Sequence, residues 1–334
     1  MMGRDRVYLV TGAAGFIGSH LVEALLAAGR RVVGIDSFDP SYDPKLKRSN
    51  VARLSEHEDL ILVEGDVRDP VFVRSCLQKH KISVVVHLAA RHGGENPVED
   101  PISLVGDNIV GTVNLLQASV ARGIERLIYG SCACVYGAAN PVPFSEDQPI
   151  SMPTTPYAAS KAAGEAYCYT YHHLYGLPVV CLRLFSVYGP RQRPDLLISR
   201  FVHLMLGDKP LPLYGDGDTS RGFTYVGDVV RGIVAASEQP KLGADGSFEV
   251  INLGSDAHYT VMNIVRALEL LLGVQARIDW KPPPPGDQPK AWANVEKARR
   301  LLNWTPETNL ATGLRAFARW CREQNGSPAS GREP

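Results

Sequence analysis

A glycine-rich turn between an apolar strand and a helix is the feature that most constrains the fold of this chain. The run Val7–Thr11 leads into Gly12, Gly15 and Gly18, a GxxGxxG pattern that opens a helical segment. Glycine is needed at such a turn because the backbone bends tightly and approaches a diphosphate without a Cβ atom in the way. The first N–H groups of the helix and its positive dipole end then face the phosphates. The turn predicts a dinucleotide-binding unit at the start of the chain.

Strand-like and helix-like segments alternate through the first half of the sequence. The predicted strands are Val7–Thr11, Arg31–Asp36, Leu60–Gly65, Val84–Ala90, Leu127–Ser131 and Val179–Phe185. The predicted helices are Ile17–Ala28, Val71–His80, Asn108–Arg122 and Tyr157–Tyr175. Short apolar strands separated by helices are typical of a parallel sheet that is covered on both faces. We therefore predict an α/β fold, a Rossmann-type doubly wound parallel sheet, with ligands beyond the carboxyl ends of its strands.

The pattern becomes looser after about residue 188, where Pro and Gly residues punctuate shorter strands and helices. We expect residues 1–188 to form the main nucleotide-binding body. Residues 189–324 are expected to form mainly a smaller substrate-binding lobe, from which some segments return to the body. The composition of residues 325–334 predicts a disordered tail.

Composition and charge argue against several classes of partner. Lys plus Arg and Asp plus Glu both total 35, so the formal net charge is zero and nothing favours nucleic acid or an anionic membrane. The N-terminus lacks the apolar stretch of a secretory signal, and no run of about 18 apolar residues is present, so we expect a cytoplasmic protein without membrane spans. The cysteines are scattered and are expected to stay reduced, without metal-site spacing; they are Cys76, Cys132, Cys134, Cys168, Cys181 and Cys321.

A carboxylate at the end of the second strand indicates which dinucleotide binds. Asp36 lies eighteen residues after Gly18, where an acidic side chain can bind the adenosine ribose diol. The same charge would repel a 2′-phosphate, and no Arg or Lys follows closely, so NAD is favoured over NADP. Asp66, after the third strand, is placed to accept a hydrogen bond from the adenine amino group.

These residues, together with the Tyr157-Ala158-Ala159-Ser160-Lys161 segment, resemble the extended short-chain dehydrogenase/reductase family. The chain looks most like the NAD-dependent nucleotide-sugar epimerase and dehydratase branch, over about residues 7–325, and within it like UDP-glucuronate 4-epimerases. Matching stretches include His87–Ala90, Asp107–Thr112, Val135–Gly137 and Val187–Pro190. The resemblance implies an enzyme that acts on a nucleotide-diphosphate sugar and dimerises through the helices Asn108–Arg122 and Tyr157–Tyr175. It also implies further cofactor contacts at Phe16, Ile17, Ser37, Val67, Leu88, Ala89, Ala90, Arg91 and Asn108.

Tyr157 and Lys161 are the predicted catalytic pair. They lie four residues apart on one helix and therefore share a face. A tyrosine with a pKa near 10 is a poor base at neutral pH, but a nearby ammonium and a positive nicotinamide ring would favour the phenolate. The resemblance implies that Tyr157 is the acid/base for a sugar hydroxyl, while Lys161 binds the nicotinamide ribose.

The sequence departs from the family pattern at two positions after the fifth strand. Cys132 stands where the family usually has Ser or Thr as a hydroxyl donor, and a thiol is a weak donor. Either Cys132 serves poorly, or Ser131 or water replaces it, or the reacting oxygen is bound differently. Cys134 stands where GDP-mannose 3,5-epimerases have a Cys that does acid/base work at carbon. It either removes a carbon-bound proton in the same way or packs as an inert residue.

Several side chains are candidates for binding the sugar nucleotide. Arg193 and Arg221 are predicted to bind the diphosphate, because a guanidinium fork matches phosphate oxygens. Glu95 replaces the Arg that UDP-glucuronate 4-epimerases usually carry, which weakens the expectation of a carboxylate-bearing sugar. The remaining candidates are His92, Ser186, Leu213, Tyr214 and Asp287.

Three functions are compatible with these residues. The leading hypothesis is a 4-epimerase that inverts C4 of a UDP-sugar through transient oxidation at that carbon. The alternative is a dehydratase, decarboxylase or C3/C5-epimerase that uses Cys134 after the same oxidation. A non-catalytic NAD-binding sensor is the third, and the presence of Tyr157 and Lys161 argues against it.

Overall fold

A computed structural model describes residues 6–92, 100–150, 152–240, 242, 247–283 and 288–324 of the chain. The strands in these residues are β1 (Val7–Thr11), β2 (Arg31–Asp36), β3 (Leu60–Glu64), β4 (Val84–His87), β5 (Arg126–Cys132), β6 (Val179–Leu184), β7 (Val187–Tyr188), β8 (Leu211–Tyr214), β9 (Ser220–Arg221), β10 (Thr224–Tyr225), β11 (Phe248–Leu253), β12 (Tyr259–Thr260), β13 (Ile278–Lys281) and β14 (Lys290–Ala291). The α-helices are α1 (Phe16–Ala27), α2 (Pro44–Val51), α3 (Pro70–Lys79), α4 (Pro101–Leu104), α5 (Gly111–Arg122), α6 (Pro156–Tyr175), α7 (Leu197–Leu206), α8 (Val226–Glu238), α9 (Val261–Leu272), α10 (Glu296–Leu302) and α11 (Leu310–Gln324). None of the described helices is long and apolar enough to cross a membrane.

Seven parallel strands form the central sheet, in the order β11-β6-β5-β4-β1-β2-β3. The strand order reverses direction between β1 and β4, which is the point where a doubly wound sheet opens a crevice at its carboxyl edge. The predicted fold class is confirmed. The sheet also shows where the ligand cleft has to lie, because the glycine turn follows β1 at this crevice.

Apolar side chains cover both faces of the sheet. One cluster packs α1 and α8 against it, and a second packs α3, α5 and α6 against the opposite face. A third cluster joins α7, α9 and α11 to β8 in the C-terminal lobe. The central strand β1 has all five residues buried, as expected for a strand with helices on both sides. The domain division at residue 188 stays a prediction, although β11 takes a place in the central sheet.

Two expectations about helices are wrong. The predicted helix Asn108–Arg122 begins earlier, since α4 and a π-helical turn, Val105–Val110, precede α5. Asp100 accepts a hydrogen bond from the Ser103 N–H and Pro101 occupies the first helical position, so the real start carries an ordinary N-cap signal. The helices of the C-terminal lobe are also not shorter, because α8, α9 and α11 have 12 to 15 residues.

A buried histidine at the end of β4 makes the folded protein less stable at acid pH. The His87 ring bonds Thr11 Oγ1 at 2.7 Å and Thr112 Oγ1 at 3.0 Å, and burial lowers its pKa from 6.5 to about 3. Below pH 6.5 the unfolded chain therefore binds a proton here that the folded chain does not, so stability falls as the pH falls towards 3. We expect a loss of about 2 kcal/mol from this residue at pH 5 relative to pH 7.5.

Urea unfolding at the two pH values measures this loss, and His87→Asn provides the comparison. The variant loses some stability at pH 7.5. Its free energy of unfolding should then fall less between pH 7.5 and pH 5 than that of the wild type, because it lacks the one proton that His87 binds on unfolding. If the free energy of unfolding fell equally in the two proteins, His87 would not be the source of the pH dependence.

Candidate active site

The glycine turn has the shape of a cradle for a diphosphate. Gly12 has a φ angle of +69°, and a Cβ atom on it would lie 2.9 Å from the backbone nitrogen of Ala89. A Cβ on Gly18 would collide with the carbonyl oxygen of Gly12. Among the described residues no side chain caps the N-terminus of α1, so its first N–H groups stay available to an anion. The turn fits the predicted dinucleotide.

Asp36 shapes the next part of the cleft. Its carboxylate accepts hydrogen bonds from the N–H groups of Ala14 at 3.0 Å and Phe38 at 2.8 Å. The side chain is buried and lines the same cleft as the glycine turn. A negative charge held in this place fits the predicted preference for NAD, since it opposes a 2′-phosphate.

A chain of ion pairs crosses the cleft wall beyond Asp36. Arg68 pairs with Asp66 at 2.6 Å and with Asp107 at 3.3 Å, and Arg91 pairs with Asp107 at 2.6 Å and with Asp39 at 2.7 Å. Hydrogen bonds from Arg68 lower the pKa of Asp66. The five charges tie together the segments that follow β2, β3 and β4, and all five side chains line the cleft.

Asn108 connects this wall to α6, the helix that carries the predicted catalytic pair. Its side chain accepts from the Arg91 N–H at 2.8 Å, and donates to the Arg91 carbonyl at 2.9 Å and to Ser160 Oγ at 2.8 Å. Ser160 in turn donates to the carbonyl oxygen of Tyr157 at 2.8 Å. Asn108 was predicted to contact the cofactor, whereas the structure places it behind Arg91, outside the cleft lining.

Tyr157 and Lys161 lie one turn apart on α6 and both line the cleft. The helix begins with Thr155 as N-cap, whose Oγ1 accepts from the Ala158 N–H at 3.1 Å, so the first turn that carries Tyr157 is held in place. The Lys161 Nζ atom lies 4.5 Å from the centre of the Tyr129 ring. The predicted pair is therefore brought together with the predicted cofactor turn.

Burial shifts the pKa values of both Tyr157 and Lys161. Burial raises the pKa of Tyr157 to about 12, opposed by the positive charge of Arg193. Burial also lowers the pKa of Lys161 to about 8. The expected lowering of the Tyr157 pKa depends on the nicotinamide ring as well as on Lys161, so it stays a prediction for the protein with its cofactor.

Cys132 and Cys134, at the end of β5, form a disulfide. The expectation that all six cysteines stay reduced is wrong for this pair, because the turn after β5 brings their Cα atoms to 5.2 Å, a separation that a disulfide can span. The other four cysteines are buried free thiols. Neither Cys132 nor Cys134 lines the cleft, although both were predicted as catalytic.

Ser131 lies one residue before this pair and does line the cleft. Its hydroxyl donates to Glu165, a buried carboxylate on α6. Glu165 also accepts two hydrogen bonds from Arg183, at 3.0 Å and 2.7 Å, in an ion pair that is almost fully buried. The single O–H of Ser131 is therefore already used inside the protein.

Two predicted substrate residues lie beside Tyr157. The His92 ring centre is 4.6 Å from that of Tyr157, and Arg193 contributes to the same cleft. Arg193 is held by Asp195 through hydrogen bonds of 3.0 Å and 2.7 Å, and its guanidinium lies 5.3 Å from the Tyr42 ring centre.

The remaining predictions divide into three groups. Cofactor candidates that line the cleft are Gly12, Gly15, Phe16, Ile17, Gly18, Asp36, Ser37, Asp66, Val67, Leu88, Ala89, Ala90 and Arg91. Substrate candidates that do not line it are Ser186, Leu213, Tyr214 and Arg221. Glu95 and Asp287 lie outside the described residues.

Several cleft residues were missed by the sequence predictions, namely Asp39, Ser41, Tyr42, Lys47, Arg68, Asp107, Gly130, Leu184 and Leu196. Asp107 belongs to a stretch that carried the family resemblance, so it could have been found there. Lys47 on α2 and Arg68 in the loop after β3 carry no such signal, because charged residues usually face water.

Comparison with known proteins shows which family this chain belongs to. The model described as "NAD dependent epimerase/dehydratase family" matches residues 8–254, which include the glycine turn, Tyr157, Lys161 and Arg193. The chain belongs to this family. The predicted resemblance is thereby confirmed, and NAD is the cofactor of this epimerase/dehydratase.

Relatives of this epimerase/dehydratase are similar over almost the whole chain. It is 38% identical over 317 residues to the UDP-glucuronate 4-epimerase of Thermodesulfobacterium geofontis (strain OPF15), covering 95% of this chain and 96% of that protein. The structure is similar to UDP-glucuronic acid 4-epimerase from Bacillus cereus in complex with UDP-glucuronic acid and NAD, with a TM-score of 0.90, 38% identity, and 95% and 99% of the two chains covered. It is also similar to UDP-glucose 4-epimerase from Thermotoga maritima with UDP-glucose, with a TM-score of 0.87, 31% identity, and 96% and 99% covered.

Proposed function

We propose that this chain is an NAD-dependent 4-epimerase of a UDP-sugar, with UDP-glucuronate as the first substrate to test. The observation that carries the proposal is that Tyr157, Lys161 and Arg193 line one cleft with the glycine turn and Asp36. The cleft thus combines an acid/base, a dinucleotide cradle and a cation for an anionic substrate. Relatives at 38% identity that are named UDP-glucuronate 4-epimerases support the choice of sugar nucleotide.

Different residues bind different parts of the cofactor and of the sugar nucleotide. The N–H groups at the start of α1 hold the cofactor diphosphate, and the Asp36 carboxylate is placed to bind the adenosine ribose diol. Lys161 is placed to bind the nicotinamide ribose. Arg193, fixed by Asp195, presents its guanidinium for the phosphates or the carboxylate of the sugar nucleotide.

Tyr157 carries the acid/base step. Its phenolic oxygen takes the proton of the C4 hydroxyl as that carbon is oxidised, and returns a proton to the same oxygen after the 4-keto sugar has presented its other face. Bound NAD supplies the hydride acceptor and donor and a positive charge beside Tyr157, and is regenerated in every cycle. Such a charge favours the phenolate and counteracts the burial that raises the Tyr157 pKa.

The contacts of Cys134 argue against the alternative reactions, namely those of a dehydratase, a decarboxylase or a C3/C5-epimerase. Removal of a carbon-bound proton needs a thiolate that faces the sugar. Cys134 is bonded to Cys132 and does not line the cleft. Inversion at C4 requires neither cysteine as a base, and so it is the reaction that these contacts favour.

Incubation with UDP-, GDP- and TDP-sugars in heavy water, followed by NMR of the sugar ring, tests the proposal. We expect inversion at C4 of a UDP-sugar without deuterium at any ring carbon, because the hydride never exchanges with solvent. Cys134→Ser should retain turnover. Deuterium at C3 or C5 would instead implicate Cys134, and an absence of turnover with every sugar would favour a sensor.

The same proposal includes a homodimer and a cytoplasmic location. Exposed apolar side chains on α6, among them Tyr169, Leu174 and Tyr175, support an interface on this helix. The four buried free thiols support the cytoplasmic location because they are typical of a reducing compartment, whereas the disulfide between Cys132 and Cys134 is not.

A further inference from the structure

The end of β5 offers the cleft no side-chain hydroxyl that is free to donate. Cys132 and Cys134 are sulfur side chains joined to each other, and even a reduced thiol is a weak donor. Ser131 has a hydroxyl, but that hydroxyl donates to Glu165. A hydrogen-bond donor for the oxygen that reacts beside Tyr157 therefore has to come from another element.

His92, which follows β4, has an unused polar atom at the right place. Its Nδ1 atom is buried and has no hydrogen-bond partner among the described residues. Its ring lies against Tyr157, with centres 4.6 Å apart, and the side chain lines the cleft. Because buried polar atoms are nearly always satisfied, an unpaired one in a ligand cleft indicates a group that the ligand completes.

Burial, helped by the charge of Arg193, keeps the His92 ring neutral. Burial lowers the pKa of His92 to about 4, Arg193 lowers it further and Asp195 opposes this. A neutral imidazole carries one N–H, which it can present at Nδ1, and it holds this proton at neutral pH. His92 can thus act as a hydrogen-bond donor without becoming a competing acid.

We propose that His92 is a catalytic residue that donates a hydrogen bond from Nδ1 to the C4 oxygen of the sugar. The inference rests on the proposed function and gives this side chain a role in the reaction itself. As C4 is oxidised its oxygen becomes a carbonyl oxygen, and a donor fixed beside it stabilises the partial negative charge that develops there. The proton of the hydroxyl passes to Tyr157, and His92 keeps its own proton throughout.

Substitution with Phe removes the nitrogen and retains the ring that contacts Tyr157. For His92→Phe we expect kcat to fall about 10²-fold to 10³-fold, as for the loss of one preorganised donor, with KM for the UDP-sugar within about threefold of the wild type. His92→Asn, whose amide lies close to the position of Nδ1, should recover part of kcat. His203→Phe is the matched control, because His203 is exposed on α7 and does not line the cleft.

Measurements of stability and of bound cofactor separate catalysis from folding. His92→Phe should keep the wild-type free energy of unfolding in urea and the wild-type content of nicotinamide nucleotide, because Phe retains the ring contact with Tyr157.

Turnover of His92→Phe near the wild-type rate would overturn the inference, and so would a change confined to KM or a failure of His92→Asn to recover any kcat. In each of these cases the wild-type enzyme still inverts C4, so the proposed function stands. If the wild type turns over no sugar nucleotide, the proposed function and the inference fail together.

Discussion

Replacing Tyr157 with Phe should lower kcat by about 10³-fold to 10⁴-fold, the upper range for loss of a positioned acid/base. In the proposed reaction the phenolic oxygen exchanges a proton with the sugar, whereas the ring packs against His92. Phe retains that ring contact, so the cleft should keep its shape and its cofactor. C4 inversion followed by NMR measures kcat, and release of nicotinamide nucleotide from the denatured protein measures cofactor retention.

Tyr169→Phe is the control for this substitution. Tyr169 lies on the same helix but is 54% exposed and does not line the cleft. We expect the control to turn over at the wild-type rate. If Tyr157→Phe keeps more than about a tenth of kcat while it retains NAD, the acid/base role assigned here is incorrect.

Glu165→Gln should destabilise the protein by about 3–5 kcal/mol, the usual cost of leaving one partner of a buried ion pair uncompensated. Glu165 and Arg183 have side chains that are each 4% exposed, and Arg183 also lies over the Tyr136 ring. With a neutral partner the guanidinium charge stays buried without compensation. Urea unfolding measures the change in the free energy of unfolding.

A double substitution and an exposed pair provide the comparisons. Arg183→Met in the Glu165→Gln background removes the isolated charge and should recover most of the loss. Glu64→Gln breaks the exposed pair with Arg48 and should cost less than about 1 kcal/mol. Equal losses for Glu165→Gln and Glu64→Gln would show that burial of the pair does not matter.

Much of this molecule could be predicted from local signals. The strands Val7–Thr11 and Arg31–Asp36 were predicted with the observed bounds, because apolar runs between turn residues have few alternative structures. Gly12 and Gly18 and the four-residue spacing of Tyr157 and Lys161 are likewise local, and they predicted a cleft that the structure assembles. The family match also follows from these motifs.

Contacts between distant segments could not be predicted in this way. The sequence left open whether Ser131 replaces the missing hydroxyl, and its bond to Glu165, 34 residues away, answers the question. Burial raises the pKa of Tyr157 in the protein alone, and the spacing of Tyr157 and Lys161 in the sequence does not reveal that desolvation. The chain of charges from Asp39 to Asp66 joins segments that follow three different strands.

The sequence alone therefore determined the fold class, the cofactor and the Tyr157 and Lys161 pair, because each depends on residue types at short spacing. The tertiary structure decided which side chains remain free to act on the substrate. That outcome depends on desolvation and on hydrogen-bond partners brought from other strands and helices, which no local pattern records. The glycine turn near the start of the chain predicts where the cofactor binds, whereas the contacts of Ser131, Cys132 and His92 are set only when β4, β5 and α6 pack together.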